Sequence, residues 1–256
     1  MKLQIMGCAG GIGGRERLTT CLRLDEDVLL DVGTGVSRMD MAELVKIDHV
    51  FLTHTHLDHV VGLAFLLDSV LGKRAKPVVV HATEQAIATL KTHMFNWKLW
   101  PDFAAIPSAD HPVFRWQPMA HEETVALDGG RTIQSFAVSH TVEAVAYVVG
   151  NGTAAFMFSG DMATSPALWP RIAAHPLLRA VVVDCSFPDA EMRLAGLSKH
   201  FCPQMLIEDI APMPYDTRFL ITHLKPGQEE LIMAQLRAHD GRRSFTSLRG
   251  GEVYAF

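Results

Sequence analysis

The sequence predicts an α/β fold in a single domain with two comparable halves. Three observations carry that prediction. Short apolar runs of strand character alternate with helical patterns, and strand-turn-strand meanders occur in both halves. No linker, repeat or low-complexity stretch separates the halves. The chain has 256 residues, 48% of them hydrophobic, which suffices to bury a substantial core and excludes a disordered protein.

The elements follow in order. Lys2 to Met6 reads as a strand and leads into the glycine-rich turn GCAGGIGG. TTCLRLDEDVLLDVGTG reads as two short strands joined by the charged turn Asp25-Glu26-Asp27. Residues 38–47 have helical spacing and precede the apolar strand DHVFLTHT. LAFLLDSVLGK reads as a helix closed by Gly72, PVVVHA as a buried strand, and residues 83–95 as a helix. Residues 96–124 read as irregular, and the segment 93–124, rich in Trp, Pro and His, is long enough to suggest a lid. A second series follows: strands at TIQSFAVSHT, AVAYVVGNG, AAFMFSGDM, RAVVVDCSFP, RFLITHL and 252–256, with helices near 166–175, 203–210 and 227–238.

Composition narrows the partners. Lys and Arg total 23 against 28 Asp and Glu, a formal charge of -5 with no basic block, so nucleic acid is a poor electrostatic partner. The four scattered cysteines form no CxxC pair and read as reduced thiols. The apolar stretch at the N-terminus is too short for a signal-peptide core, and no run approaches the roughly 18 apolar residues of a membrane span. A cytoplasmic protein is expected.

The thirteen histidines are the chemical signal. His54-Thr-His56-Leu-Asp58-His59 follows the apolar strand HVFLT, so a rigid strand end feeds a loop on which side chains converge. His54 and His56 suit one metal ion, and Asp58 and His59 suit a second, adjacent one. His140 follows SFAVS, Asp161 follows AAFMFSG and His223 follows RFLIT, each a polar residue at a strand end. Seven ligands result, with Asp161 able to bridge two ions. Imidazole and carboxylate together favour Zn, and accommodate Mn or Fe. Two adjacent ions can hold a hydroxide and clamp attacking and leaving oxygens, which is hydrolytic chemistry. HExxH and GxSxG patterns are absent, and GCAGGIGG matches GxGxxG only loosely, so it reads as a turn approaching the metal edge.

The series HxHxDH, His, SGD, His resembles the metallo-β-lactamase superfamily over nearly the whole chain. The resemblance implies a four-layer αββα sandwich with a binuclear site at one edge. It implies that His54, His56 and His140 hold one ion, that Asp58, His59 and His223 hold the other, and that Asp161 bridges. Asp31, in LLDVGTG, takes a place behind the ligands in that family; the alternative for Asp31 is a turn acid before Gly33.

Within the superfamily, HTHLDHVVG, HMFNWKLWPDF, VVDCSFP and SKHFCPQML are similar to class II 3′,5′-cyclic-nucleotide phosphodiesterases. That resemblance implies hydrolysis of cAMP or cGMP to the 5′-nucleotide, with Asp58 and His200 in catalytic roles and a homodimer. His200 lies in a stretch resembling the motif written GHLTP and suits a donor to a phosphoryl or departing 3′ oxygen; capping a helix near Pro203 is its alternative. Phe95, Trp97, Trp100, Phe103 and Trp116 offer flat faces to a base, each worth roughly 1–3 kcal/mol if stacked. Asn96 suits a base edge, and His93, one turn before Trp97, is a further candidate for substrate contact, its alternative being a helix-face histidine. Lid packing or a dimer contact explains these aromatics as well. Lys199 stands where that family has Gly, Cys202 where it has Thr and Asp184 where it tends to Glu, which leaves nucleotide identity open.

The expected substrate is therefore a small phosphodiester. Another hydrolase of the same fold, acting on tRNA 3′ ends, lactones or thioesters, is the second reading. A non-catalytic metal- or nucleotide-binding protein is the third, disfavoured because all seven ligands are present.

Overall fold

The computed structural model describes all 256 residues. The first half supplies strands β1 (Lys2–Gly7), β2 (Cys21–Leu24), β3 (Val28–Leu30), β4 (His49–Phe51), β5 (Val78–Ala82) and β6 (Phe114–Pro118). The second supplies β7 (Thr124–Leu127), β8 (Arg131–Val138), β9 (Ala144–Gly150), β10 (Ala155–Phe158), β11 (Leu178–Asp184), β12 (Arg218–Thr222) and β13 (Ser244–Ser247). The last strand, β14 (Val253–Ala255), returns to the first sheet beside β1. The two sheets have seven strands each, in the orders β14-β1-β2-β3-β4-β5-β6 and β13-β12-β11-β10-β9-β8-β7. Each is antiparallel in one part and parallel in the other.

Side-chain alternation explains the layers. Along β3, Val28 and Leu30 point between the sheets while Leu29 points to the helices. Along β11, Ala180 and Val182 point inward while Val181 and Val183 point outward. Strands buried on both faces read as continuous apolar runs, as these do. The inter-sheet core includes Leu3, Ile5, Phe51, Tyr147, Phe156 and Phe158. Helices α1 (Met41–Leu44), α2 (Leu57–Val70) and α3 (Glu84–His93) lie on the first-sheet side. Helices α4 (Trp169–Ala173), α5 (Met192–Ser198), α6 (Pro203–Asp209) and α7 (Glu229–His239) lie on the second-sheet side, where Trp169, Leu206 and Leu236 cover the outer face. The result is the αββα sandwich.

Three expectations need correction. The helix over 38–47 shrinks to one turn, Met41–Leu44, opened by a capping box between Asp40 and Glu43. The helix expected from Leu63 begins at Leu57, which draws Asp58 and His59 out of the loop and into its first turn. The irregular stretch 96–124 contains β6, a sheet edge whose polar residues and terminal proline hide its strand character. No helix is long and apolar enough to cross a membrane.

Helix α2 sits close to the loop after β3 because Gly62 has no side chain. A Cβ there would lie 2.4 Å from the Gly33 carbonyl oxygen and 2.6 Å from Val36 Cγ1. Alanine ordinarily favours a helix over glycine by roughly 1 kcal/mol, but the contact here is with backbone that cannot turn away. Gly62→Ala is expected to lower stability by about 1–3 kcal/mol, the usual cost of overpacking. A urea midpoint equal to or above that of the parent would show that the helix stands off.

Candidate metal centre

Four chain exits meet at one edge of the sandwich. After β4 the chain leaves the sheet through His54 and His56, and His56, in extended conformation, precedes the first turn of α2. Asp58 sits in that turn, where the helix dipole favours a carboxylate. His140 follows β8, Asp161 follows β10 and His223 follows β12 directly. Gly10, in the glycine-rich turn, packs so closely on this edge that a Cβ would fall 2.3 Å from the His223 carbonyl oxygen. Asp31 and His223 both adopt left-handed backbone (φ 56° and 60°), strain of the kind that collects at functional sites.

The seven expected ligands come together in two overlapping groups. His54, His56, His140 and Asp161 form one, with ligand atoms all within 4.8 Å of one another; Asp58, His59, Asp161 and His223 form the other. His54 Nε2 and His140 Nε2 lie 3.1 and 3.2 Å from His56 Nδ1. His223 Nε2 is 3.1 Å from Asp58 Oδ2 and 3.3 Å from Asp161 Oδ2, and His59 Nε2 is 3.3 Å from Asp161 Oδ1. Asp161 belongs to both groups.

The far nitrogen of each ring shows that this donor set suits cations. His59 Nδ1 meets Asp31 Oδ2 at 2.7 Å, His54 Nδ1 meets Thr53 Oγ1 at 3.0 Å, and His140 Nδ1 meets the Lys199 carbonyl at 3.0 Å. His223 Nδ1 meets Ser186 Oγ at 2.9 Å, and His56 Nε2 meets Thr141 Oγ1 at 3.4 Å. Oxygen partners behind the rings fix tautomer and orientation, leaving lone pairs directed into the cluster. His59 Nε2 and Asp161 Oδ1, both buried, have no hydrogen-bond partner at all. Two divalent ions fit these residues as the sequence suggested.

Electrostatics agree. Burial holds His54 well below the ordinary histidine range, lowers His56, and pushes His140 down to about 4, so these rings are neutral ligands near pH 7. Burial also opposes a proton on His59, yet Asp161 and Asp31 outweigh it and hold that ring well above the ordinary range. Burial would raise Asp58 and Asp161, but neighbouring histidines outweigh it and keep both carboxyls well below the usual range.

Beside the second group stands a set that the sequence had not joined. His200 Nδ1 lies 2.7 Å from Asp184 Oδ2, and Ser186 Oγ donates to Asp184 Oδ1 at 2.6 Å. His200 does not cap α6; that helix is preceded by Cys202 and has no side-chain cap. Burial acts to lower its pKa, but Asp184 more than offsets this, leaving it raised. Its ring centroid is 5.2 Å from that of His140 and 5.0 Å from that of His223. Asp184 and Ser186 alternate at the end of β11 in VVDCSFP, a spacing that places both on one side of the chain. Lys199, the residue before His200, takes left-handed backbone (φ 55°) as the C-cap of α5, a position suited to glycine.

Of the expected substrate contacts, His200 belongs to this constellation, and the others make contacts elsewhere. His93 is exposed at the end of α3. Asn96 uses its carboxamide locally, accepting from Lys98 and Leu99 N–H and donating to the Thr92 carbonyl. Trp100 packs on Phe65 at 5.4 Å, Trp116 packs on Phe114 at 4.8 Å, and Phe95 and Phe103 are core residues. Trp97, 64% exposed, alone of these aromatics stands out in solvent. No hydrogen bond or ring contact joins His93, Asn96, Trp97 or Trp100 to the metal ligands, so the expected base clamp has no contact behind it. The apolar side chain placed between two ligands is Leu57, 65% exposed.

The β-lactamase superfamily domain model matches residues 27–240. The chain belongs to that superfamily, as a metallo-hydrolase of the β-lactamase fold. It is 27% identical over 252 residues to a 3′,5′-cyclic-nucleotide phosphodiesterase of Schizosaccharomyces pombe, covering 82% of this chain and 70% of that protein. It is 30% identical over 158 residues to a ribonuclease Z of Methanococcus maripaludis, covering 58% of this chain and 47% of that protein. Unliganded yeast PDE1 superposes with a TM-score of 0.83 at 17% identity, covering 98% of each chain, a likeness of fold.

Two expectations follow for this metallo-hydrolase. Because Asp161 reaches both groups, Asp161→Ala should cut bound metal from two equivalents to one or fewer by elemental analysis; two tight ions in that variant would remove its bridging role. Because Asp161 and Asp31 hold His59 charged, filling the second group should release about one proton near pH 7. Calorimetry in buffers of different ionisation enthalpy reads that number, and no release would mean that His59 is neutral before metal binds.

Proposed function

We propose that this metallo-hydrolase cleaves 3′,5′-cyclic nucleotides, cAMP or cGMP, to 5′-nucleotides. The observation that carries the reading is His200, an imidazole fixed by Asp184 and packed against one histidine from each metal group. With Nδ1 on the carboxylate, Nε2 is the nitrogen left to donate, and the raised pKa keeps a proton on the ring. That donor suits the 3′ oxygen leaving phosphorus. Divalent ions in the two groups would supply an activated water and neutralise the phosphoryl oxygens.

The chain's own residues supply position and protons. Asp31 and Thr53 hold His59 and His54 from behind, as Asp184 holds His200. The Lys199 carbonyl orients His140, and the Lys199 ammonium donates to the His140 carbonyl at 2.6 Å, so the residue before His200 is tied to His140 by two contacts. The likeness to a cyclic-nucleotide phosphodiesterase over four-fifths of the chain supports this substrate class. The stretch similar to ribonuclease Z supports a second reading, an RNA phosphodiester, against which the formal charge of -5 weighs.

The test incubates zinc-loaded protein with cAMP, cGMP, bis-p-nitrophenyl phosphate and a precursor tRNA with a 3′ extension, separating products by chromatography. Formation of a 5′-monophosphate supports the reading, and cleavage of only the precursor tRNA replaces it with the second. His200→Ala should retain two metal ions while kcat falls about 10²–10⁴-fold, the usual contribution of a positioned acid. Loss of metal in that variant would make His200 a structural residue instead.

A further inference from the structure

The two sides of the metal centre are supported by the same device. On one side, Asp31 Oδ2 accepts from His59 Nδ1 and from Thr53 Oγ1, both at 2.7 Å, and Thr53 Oγ1 lies 3.0 Å from His54 Nδ1. One buried carboxylate thus serves one histidine directly and another through a hydroxyl. On the other side, Asp184 Oδ2 meets His200 Nδ1 at 2.7 Å, and Asp184 Oδ1 accepts from Ser186 Oγ at 2.6 Å. Ser186 Oγ then meets His223 Nδ1 at 2.9 Å. Asp184 and Ser186 are fully buried, so no water competes for these contacts.

A serine hydroxyl has one proton. Two acceptors lie within its reach, Asp184 Oδ1 at 2.6 Å and the His223 carbonyl at 3.0 Å. The carboxylate is both charged and nearer, and takes the proton. The hydroxyl lone pairs are then free to accept. His200 Nδ1, at 3.4 Å, already has the carboxylate, which leaves the His223 N–H as the donor they receive. In the neutral ring a proton on His223 Nδ1 leaves the Nε2 lone pair directed at Asp58 and Asp161. Lone pair against carboxylate repels unless a cation lies between them.

We infer that Ser186 is a positioning residue: it relays Asp184 to His223, fixes the tautomer in which Nε2 binds the second ion, and so couples that ion to the carboxylate that orients His200. The inference rests on His223 being a metal ligand and not on the identity of the substrate. Removing the hydroxyl strips one acceptor from a metal ligand while leaving the Asp31–Thr53 side untouched. The effect is therefore confined to one of two ions.

The test is a zinc titration against a chromophoric chelator on parent, Ser186→Ala, Ser186→Thr and His223→Ala proteins. Ser186→Ala is expected to weaken one ion about 10–100-fold, the usual effect of losing an outer-shell partner, with the other unchanged. Ser186→Thr, which keeps the hydroxyl, should restore much of the loss. Parent affinity for both ions in Ser186→Ala overturns the relay. Two tight ions in His223→Ala would overturn the ligand assignment itself, a failure distinct from that of Ser186. If Ser186→Ala does not fold, nitrogen-15 NMR of zinc-loaded parent protein decides: a proton on His223 Nδ1 supports the relay, and an unprotonated Nδ1 sinks it.

Discussion

Asp161 is buried to 2% exposure, and the only cationic groups it meets are histidines. No arginine or lysine neutralises it. A carboxylate taken out of water in that way costs several kcal/mol unless positive charge is brought to it. Everything at this edge of the sandwich follows from that requirement. Imidazoles from three chain exits converge on the carboxylate that the fourth supplies, and divalent ions held there would take over its neutralisation.

Convergence alone does not make ligands. Five imidazoles in contact are as able to hydrogen-bond one another as to bind metal, and what selects between these is the oxygen behind each ring. Asp31, Thr53, Thr141, Ser186 and the Lys199 carbonyl each occupy a far nitrogen. These partners are placed by strand ends and by strained backbone at Asp31, Lys199 and His223. The two packed sheets pay for that strain: the inter-sheet core holds Phe51, Phe156, Phe158 and Val182 within a few residues of His54, Asp161 and Asp184.

The same geometry separates the site from the rest of the molecule. A cavity of about 810 Å³ lies beside Cys8, Arg17, Leu248 and Arg249 and is lined by none of the candidate ligands. The cluster instead opens at the sheet edge, with Leu57 exposed between His56 and Asp58 and with Leu197 exposed at 71% shortly before His200. A fold of this kind carries many chemistries, and the residues around the ions, more than the ions themselves, decide which bond is presented to them.

The sequence by itself determined the layers and the residues that meet at the candidate metal centre. Strands buried on both faces must be apolar throughout, and polar residues that end such strands stand out against them; HTHLDH, His140, Asp161 and His223 were legible for that reason. Local pattern also placed most helices, because their apolar faces repeat at helical spacing. Tertiary structure decided the rest. β6 escaped notice because an edge strand needs apolar residues on only one side, and its Trp116 packs on Phe114 where the sequence suggested a face for a base. Asn96, read as a base contact, is consumed by its own turn, a contact as local as any but one among several that its side chain could have made. The pairing of Asp184 with His200 and of Ser186 with His223 joins residues 16 and 37 positions apart. Hydrogen bonds across such separations leave no period in a sequence: the pairing of β11 with β12 brings His223 within reach, and the bond from Ser186 N–H to the Phe201 carbonyl brings in His200.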